Sequence, residues 1–382
     1  MNHSEVQAPL MPEVKSSKRN WAFLTFLIYG ILVAVTIIGS GFKLATGDQA
    51  KALFEFAANP ILGLIIGMVA TALVQSSSTV SSIIVAMVAG GLPIEIAVPM
   101  IMGANIGTSI TSTIVSLGHV TKKEEFKRAF GAATIHDFFN VMCVFIFLPL
   151  EIAFGFLQKI SASLVTFFTG SSGMQMGGFN PIKAATKPFS NALADLLSFM
   201  PNTYAGAFMA VVGVALIILC ITLMGKTMKA LMVGRAKDIL HHSIGKGPVR
   251  GIASGTVVTV LVQSSSTTTS LVVPLVGNGV LSSRDIYPFT LGANIGTCIT
   301  ALLAAVAVTG ANAGFALQIA LVHLLYNVLG VVVIYSVKVL RNVPIQLSTA
   351  LSEKVAEQKL YGLAYIVTLF FLLPLSVITV AG

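Results

Sequence analysis

The heptapeptide LVQSSST occurs twice in this chain, at residues 73–79 and 261–267, and each copy is followed about thirty residues later by GANIGT, at 103–108 and 292–297. Shared hydrophobicity cannot generate this duplication, because the repeated letters are polar residues set in apolar sequence. A buried glutamine, three consecutive serines and an asparagine between glycines are unfavourable in hydrocarbon unless something there uses them. The chain therefore consists of two related halves, and the polar part of each half is its centre.

The setting is a membrane. The composition is 55% hydrophobic and 10% charged, where a soluble domain carries roughly 25% charged residues. Apolar runs at 21–39, 129–150, 206–224, 315–335 and 361–380 each approach the ~20 residues that span a bilayer. The first follows Lys15, Lys18 and Arg19 without a small-residue cleavage site, which reads as a retained span and not a signal peptide. Cys143, Cys220 and Cys298 are isolated, so neither a disulfide framework nor a metal cluster follows from them. The net charge of +9 lies in short loops beside the spans, the mark of cytoplasmic loops and not of a nucleic-acid surface.

Between the spans, the arms 60–74 and 79–89 are too short to cross at ~1.5 Å per residue. They flank Gln75–Ser78 and describe a re-entrant helical hairpin. Residues 94–117 are long enough to cross but are interrupted by GANIGT, which predicts a broken helix lining a cavity. The second half repeats this order, and the trailing helices correspond too, since IHDFFN (His136, Asn140) matches VHLLYN (His323, Asn327) at an offset of 187 to 189 residues.

Loop charge relates the halves. In the first half the basic loop 122–128 follows the broken helix. In the second, Lys226, Lys229, Arg235, Lys237, Lys246 and Arg250 precede the hairpin, and the segment after the broken helix carries no charge. The positive-inside rule then makes the two halves enter from opposite faces. The expectation is an all-α integral membrane protein of two inverted-topology repeats, each with a re-entrant hairpin and a broken transmembrane helix, plus an extra C-terminal span. Its parts are a cytoplasmic tail (1–20), repeat 1 (21–150), an extracytoplasmic aqueous linker (151–205), repeat 2 (206–337), and a cytoplasmic loop with the last span (338–382).

Inverted repeats with interrupted helices are a secondary-transporter architecture, with the substrate site at the repeat interface near the midplane. Within SSST, a serine N-cap leaves backbone N–H groups free at the positive end of a helix dipole. Two such ends make a small anion site. The carbonyl ends of the incoming arms, the glutamines and the hydroxyls are hard oxygen ligands for a small cation. Helix–helix glue explains one SSS cluster as well as binding does, but it leaves the matched Gln and GANIGT unexplained. Asp137, whose counterpart is Leu324, reads as a structural polar contact, and Glu95 as interfacial. GSSG at 170–173 and Gly225-Lys226-Thr227 mimic a serine-protease motif and a phosphate loop, and both lack the required surroundings. Neither repeat offers the paired nucleophile and base of a membrane enzyme.

QSSST in both halves, GANIGTSIT and GANIGTCIT, and KKEEFKRAFGAATIHDFFN closely resemble the signatures of the type II sodium–phosphate cotransporter family, over about residues 20–340. The resemblance implies a plasma-membrane importer of inorganic phosphate driven by sodium, with no cofactor beyond sodium as co-substrate. It places phosphate on Ser76, Ser77, Ser78, Thr79, Ser264, Ser265, Ser266 and Thr267. Sodium and the cavity wall fall to Gln75, Asn105, Thr108, Gln263, Asn294 and Thr297, with the division between the two roles left open. The partners implied are phosphate, sodium and the lipid bilayer, not nucleic acid; a homodimer stays open. The linker contains no cysteine and so lacks the disulfide of the family's animal members. Another tetrahedral oxyanion, proton coupling and an anion channel remain the competing readings.

Overall fold

A computed structural model describes residues 18–46, 59–169, 181–244, 246–308 and 312–381. Most of the expected N-terminal tail, part of the loop before the first hairpin, and GSSG lie outside the described residues. Every regular element among the described residues is helical, and seven helices are long and apolar enough to cross a membrane. The protein is an all-α membrane protein.

The first half comprises α1 (Lys18–Thr46), α2 (Pro60–Val74), α3 (Ser77–Gly90), α4 (Ile94–Thr108), α5 (Ile110–Ser116) and α6 (Lys123–Phe154). Two helices, α7 (Phe156–Thr169) and α8 (Pro181–Leu196), follow. The second half comprises α9 (Asn202–Ser243), α10 (Pro248–Val262), α11 (Ser265–Gly277), α12 (Ser283–Ala307) and α13 (Ala313–Gly330). The chain closes with α14 (Lys338–Glu357), α15 (Leu360–Val367) and α16 (Leu373–Ala381), with π turns after α13 and between α15 and α16.

Local sequence sets these boundaries. Asn59 caps α2, accepting a hydrogen bond from Ile61 N at 2.9 Å, and Pro60 follows at the first helical position, where its missing N–H is harmless. Gly91, at φ 117°, ends α3. Ser282 and Asp285 form a reciprocal capping box at the start of α12, which satisfies two otherwise unpaired donors.

The expected short arms are present at 15 and 14 residues in the first half and 15 and 13 in the second. The expected breaks at GANIGT are not. In the second half α12 runs unbroken through Gly292–Thr297. In the first half the only interruption is at Ser109, one residue past the motif, whose φ of −76° and ψ of −15° keep it near helical. The glycines serve close packing instead. A methyl on Gly103 would overlap the Leu64 carbonyl oxygen, and one on Gly292 would overlap the Ile252 carbonyl oxygen. Each motif glycine pair, spaced by four, faces a second pair on the incoming arm: Gly63 and Gly67 on α2, Gly251 and Gly255 on α10. This is the small-residue spacing that lets membrane helices touch backbone to backbone. A glycine costs about 1 kcal/mol inside a helix, and the contact offsets it.

The halves interlock. Helices α1 and α9 pack on each other, α2 packs on α4, and α10 packs on α12. Each outgoing arm lies on the other half, α3 against α12 and α13, α11 against α5 and α6. Their far ends are capped reciprocally. Arg128 Nε of α6 donates to Gly277 O at the end of α11 at 2.9 Å. Asn312 Nδ2, before α13, donates to Ala89 O at the end of α3, also at 2.9 Å. Such donors satisfy carbonyls that a helix end leaves open.

Three expected loops are helical. The segment expected as an aqueous linker holds α7, whose Gln158 O accepts from Gln318 of α13 at 3.1 Å, and α8, whose Ala185 O accepts from the Tyr29 hydroxyl of α1 at 2.7 Å. Apolar residues also pack both helices on the bundle, Phe156 and Leu157 in α7 and Leu193 and Ala194 in α8. The basic stretch before the second hairpin is a continuation of α9, and α14 replaces the expected loop after 338 by packing on α6, where Lys127 pairs with Glu353 at 3.1 Å.

Replacing Gly292 by Val is expected to destabilise the protein by about 3 kcal/mol or more, because backbone cannot withdraw from the added carbons. Gly118→Ala, at a position with open space around it, should leave the melting temperature unchanged; thermal unfolding of the two variants in detergent checks both.

Candidate functional site

The two QSSST turns share one geometry. Gln75 (φ 54°, ψ 29°) and Gln263 (φ 57°, ψ 26°) are the only described non-glycine residues with positive φ. In each, the glutamine N–H closes the incoming arm on a threonine carbonyl at 2.7 Å, Thr71 in one and Thr259 in the other. Reversing the chain in one residue needs a left-handed conformation, which glycine adopts most easily. Glutamine stands at both positions against that preference.

The following serine caps the outgoing arm. Ser76 Oγ accepts from Thr79 N at 3.2 Å and from the Thr79 hydroxyl at 2.8 Å. Ser264 Oγ accepts from Thr267 N at 3.2 Å. Val80 N and Thr268 N bond Ser76 O and Ser264 O as the first regular helical bonds. That leaves the N–H groups of Ser77 and Ser78, and of Ser265 and Ser266, as the free donors of a helix N-terminus. These four serines are buried, at 2 to 4% exposed, whereas Ser76, Ser264 and Thr267 are half-buried. Neither motif contains a Lys or Arg, so the field at each turn comes from backbone dipoles and hydroxyls.

The second turn meets the first GANIGT helix: Ser266 Oγ donates to Thr108 O at 3.4 Å, and one turn further on the hydroxyls of Thr269 and Ser112 lie 2.7 Å apart. Gln263 is held twice, accepting from the Thr300 hydroxyl at 3.1 Å and donating to Val260 O at 2.6 Å. The hydroxyls of Thr108 and Thr297 bond back to Ala104 O and Ala293 O within their own helices. Their side-chain oxygens are therefore already engaged as donors.

Asn105 and Asn294 sit behind the turns in a crossed network that joins the halves. His136 Nε2 is 2.6 Å from Asn294 Oδ1, and His323 Nε2 is 3.4 Å from Asn105 Oδ1, so each histidine reads the asparagine of the other half. Asn294 Nδ2 donates to Asn140 Oδ1 at 2.8 Å, and Asn140 Nδ2 donates to Asn105 O at 2.8 Å. The histidine and asparagine of IHDFFN and VHLLYN were legible as two matched pairs; their partners across the repeat were not. Asp137, fully buried, accepts from the Tyr365 hydroxyl of α15 at 2.9 Å and from Thr113 at 3.3 Å, and its Oδ1 has no hydrogen-bond partner. The expected structural contact is thus present, with one carboxylate oxygen left over. Among the described residues no group of three or more His, Cys, Asp or Glu could hold a metal ion.

These features define a multi-pass helical membrane protein whose polar centre is built from two copies of one capped turn. Its sequence matches the pattern of the Na+/Pi-cotransporter family over residues 31–176 and 216–351, one turn in each segment. The chain belongs to the Na+/Pi-cotransporter family. It is 32% identical over 424 residues to the sodium-dependent phosphate transport protein 2A of Ovis aries, covering 92% of this chain and 66% of that protein. It is 30% identical over 440 residues to the sodium-dependent phosphate transport protein 2B of Homo sapiens, covering 92% and 63%. A third relative, protein 2A of Oryctolagus cuniculus, is 33% identical over 434 residues, covering 94% and 67%. The chain thus spans about two thirds of the length of these relatives. No solved structure matches it.

The turn geometry makes a stability prediction. Ser76→Ala and Ser264→Ala each remove an N-cap and should lower stability by about 1 kcal/mol. Gln75→Gly relieves the positive φ and should leave the melting temperature unchanged or raised, which detergent-phase thermal unfolding reads directly.

Proposed function

We propose that this chain is a plasma-membrane symporter that imports inorganic phosphate together with sodium, around a site formed by the two QSSST turns. The observation that carries the reading is the matched pair of turns, each with a strained glutamine, a serine N-cap and free buried amides, one in each family-matched segment. Sodium-dependent phosphate transport, printed in the relatives' names, supplies the substrate and the driving ion.

In this reading the amides and hydroxyls of Ser76–Ser78 with Thr79, and of Ser264–Ser266 with Thr267, receive phosphate oxygens, as helix N-termini do for anions. The motifs carry no cation of their own, so sodium supplies the countercharge. Carbonyls ending α2 and α10, the glutamine oxygens of Gln75 and Gln263, and the walls around Asn105, Thr108, Asn294 and Thr297 are hard ligands suited to it. The unpartnered oxygen of buried Asp137 is a further place where a cation's charge is matched. Residues 21–150 and 206–337 serve as inverted repeats, and the short arms as re-entrant hairpins approaching from opposite faces. Access then alternates by movement of the interlocked arms about the crossed network.

The test is radiolabelled phosphate uptake into proteoliposomes under an imposed sodium gradient. Saturable uptake that requires sodium supports symport; uptake driven equally by protons, or flux without saturation, replaces it with the competing readings. Gln263→Ala and Ser265→Ala are each expected to reduce uptake to a few per cent of wild type with expression intact, and normal uptake by both would sink the site assignment.

A further inference from the structure

The Gln, Asn, Thr and His residues of the two polar centres correspond, but their hydrogen bonds do not. In the second half, Gln263 is latched to Thr300, and Asn294 is held by both His136 at 2.6 Å and Asn140 at 2.8 Å. The first half has every corresponding residue and few of the bonds. Gln75 is exposed and makes no side-chain hydrogen bond among the described residues, and Thr111, the counterpart of Thr300, has a buried hydroxyl with no partner. Asn105 Nδ2, the counterpart of the Asn294 donor, is also buried and unpartnered, and His323 reaches Asn105 only at 3.4 Å.

The difference turns on one pair. Asn140 bridges the halves, taking the Asn294 amide and giving its own to Asn105 O. Its counterpart Asn327 is turned back onto its own half, donating to His323 O at 2.9 Å with Cys298 Sγ at 3.4 Å. An orphaned buried donor costs about 1 to 3 kcal/mol, and Asn105 Nδ2 and Thr111 Oγ1 would both be satisfied by the arrangement that the second half already has.

We propose that Asn140 and Asn327 are alternating positioning residues. Asn140 ties the two GANIGT helices together in the conformation described here, with the second turn latched. Asn327 ties them in the opposite conformation, with Asn105 Nδ2 on its side-chain oxygen and Gln75 on Thr111. The exchange rests on the alternating-access reading above, and it assigns a role to side chains that touch neither phosphate nor sodium.

Leu73 and Leu261 occupy the same place in the two turns, and Leu73 is 69% exposed where Leu261 is half-buried. Leu73→Cys and Leu261→Cys, each in the full-length protein in detergent, are labelled with N-ethylmaleimide, and the introduced cysteine is read by mass spectrometry. Leu73→Cys should react the faster. Adding Asn140→Ala should slow Leu73→Cys and speed Leu261→Cys, shifting the ratio of the two rates by about fivefold, the change in equilibrium that losing one net hydrogen bond drives. Adding Asn327→Ala should move the ratio the other way or hold it at its starting value. A loss of packing alone would raise both rates in both variants, and that result, or equal ratios throughout, overturns the proposal. Where an alanine variant loses monodispersity, Asn140→Ser and Asn327→Ser carry the same expected signs. Labelling does not depend on transport. A protein that fails to take up phosphate yet shows the opposed shifts loses only the functional reading, and one that transports with no opposed shifts loses only this inference.

Discussion

Backbone contact between each incoming arm and its GANIGT helix is the constraint from which the rest of the architecture follows. Lipid tails are as apolar as leucine, so a short arm gains little by burying side chains against a neighbour. It is held by van der Waals contact at close range. Glycines at 63, 67, 103 and 107, and again at 255, 292 and 296, let the helices meet at the carbonyl oxygens. That approach fixes where each arm ends, and the turn glutamine and serine cap are fixed with it.

Once the arms are fixed, polar groups inside the bundle must be satisfied by one another, because hydrocarbon offers no partners. The structure meets this demand across the repeat and not within it. Ser266 bonds Thr108, Thr269 meets Ser112, and each histidine reads the other half's asparagine. The polar letters that looked out of place in the sequence therefore form a seam between the halves. The backbone amides that open the capped arms take no part in that seam.

The repeat, the arm boundaries and the N-capping serines were legible in the sequence because each rests on local chemistry: period, length and the side chain one residue before a helix. The GANIGT helices continue where the sequence predicts a break, because glycine beside asparagine signals a break when only the chain's own backbone is considered. The reason they continue lies in another helix, at Leu64 and Ile252. The same blindness hid α7 and α8, where glycine, serine and asparagine drew attention away from apolar residues at helical spacing. In the site, the left-handed glutamines carried no sequence signal. The contacts of His136 and Asn140 with Asn294 were hidden as well, since contacts across more than 150 residues leave no local trace.

The reciprocal caps on the outgoing arms also bear on how the protein is made. Residue 89 ends an arm whose carbonyl partner, Asn312, is synthesised more than two hundred residues later. Until then α3 lacks the Asn312 bond and the α12 and α13 surface, and rests on α1 and α4 of its own half. The first half therefore enters the bilayer with one face of this arm uncovered, and the arm's packing is completed only when the second half arrives. Contacts this distant in sequence make assembly slow, and that interval is when the nascent chain most needs a neighbour to shield it.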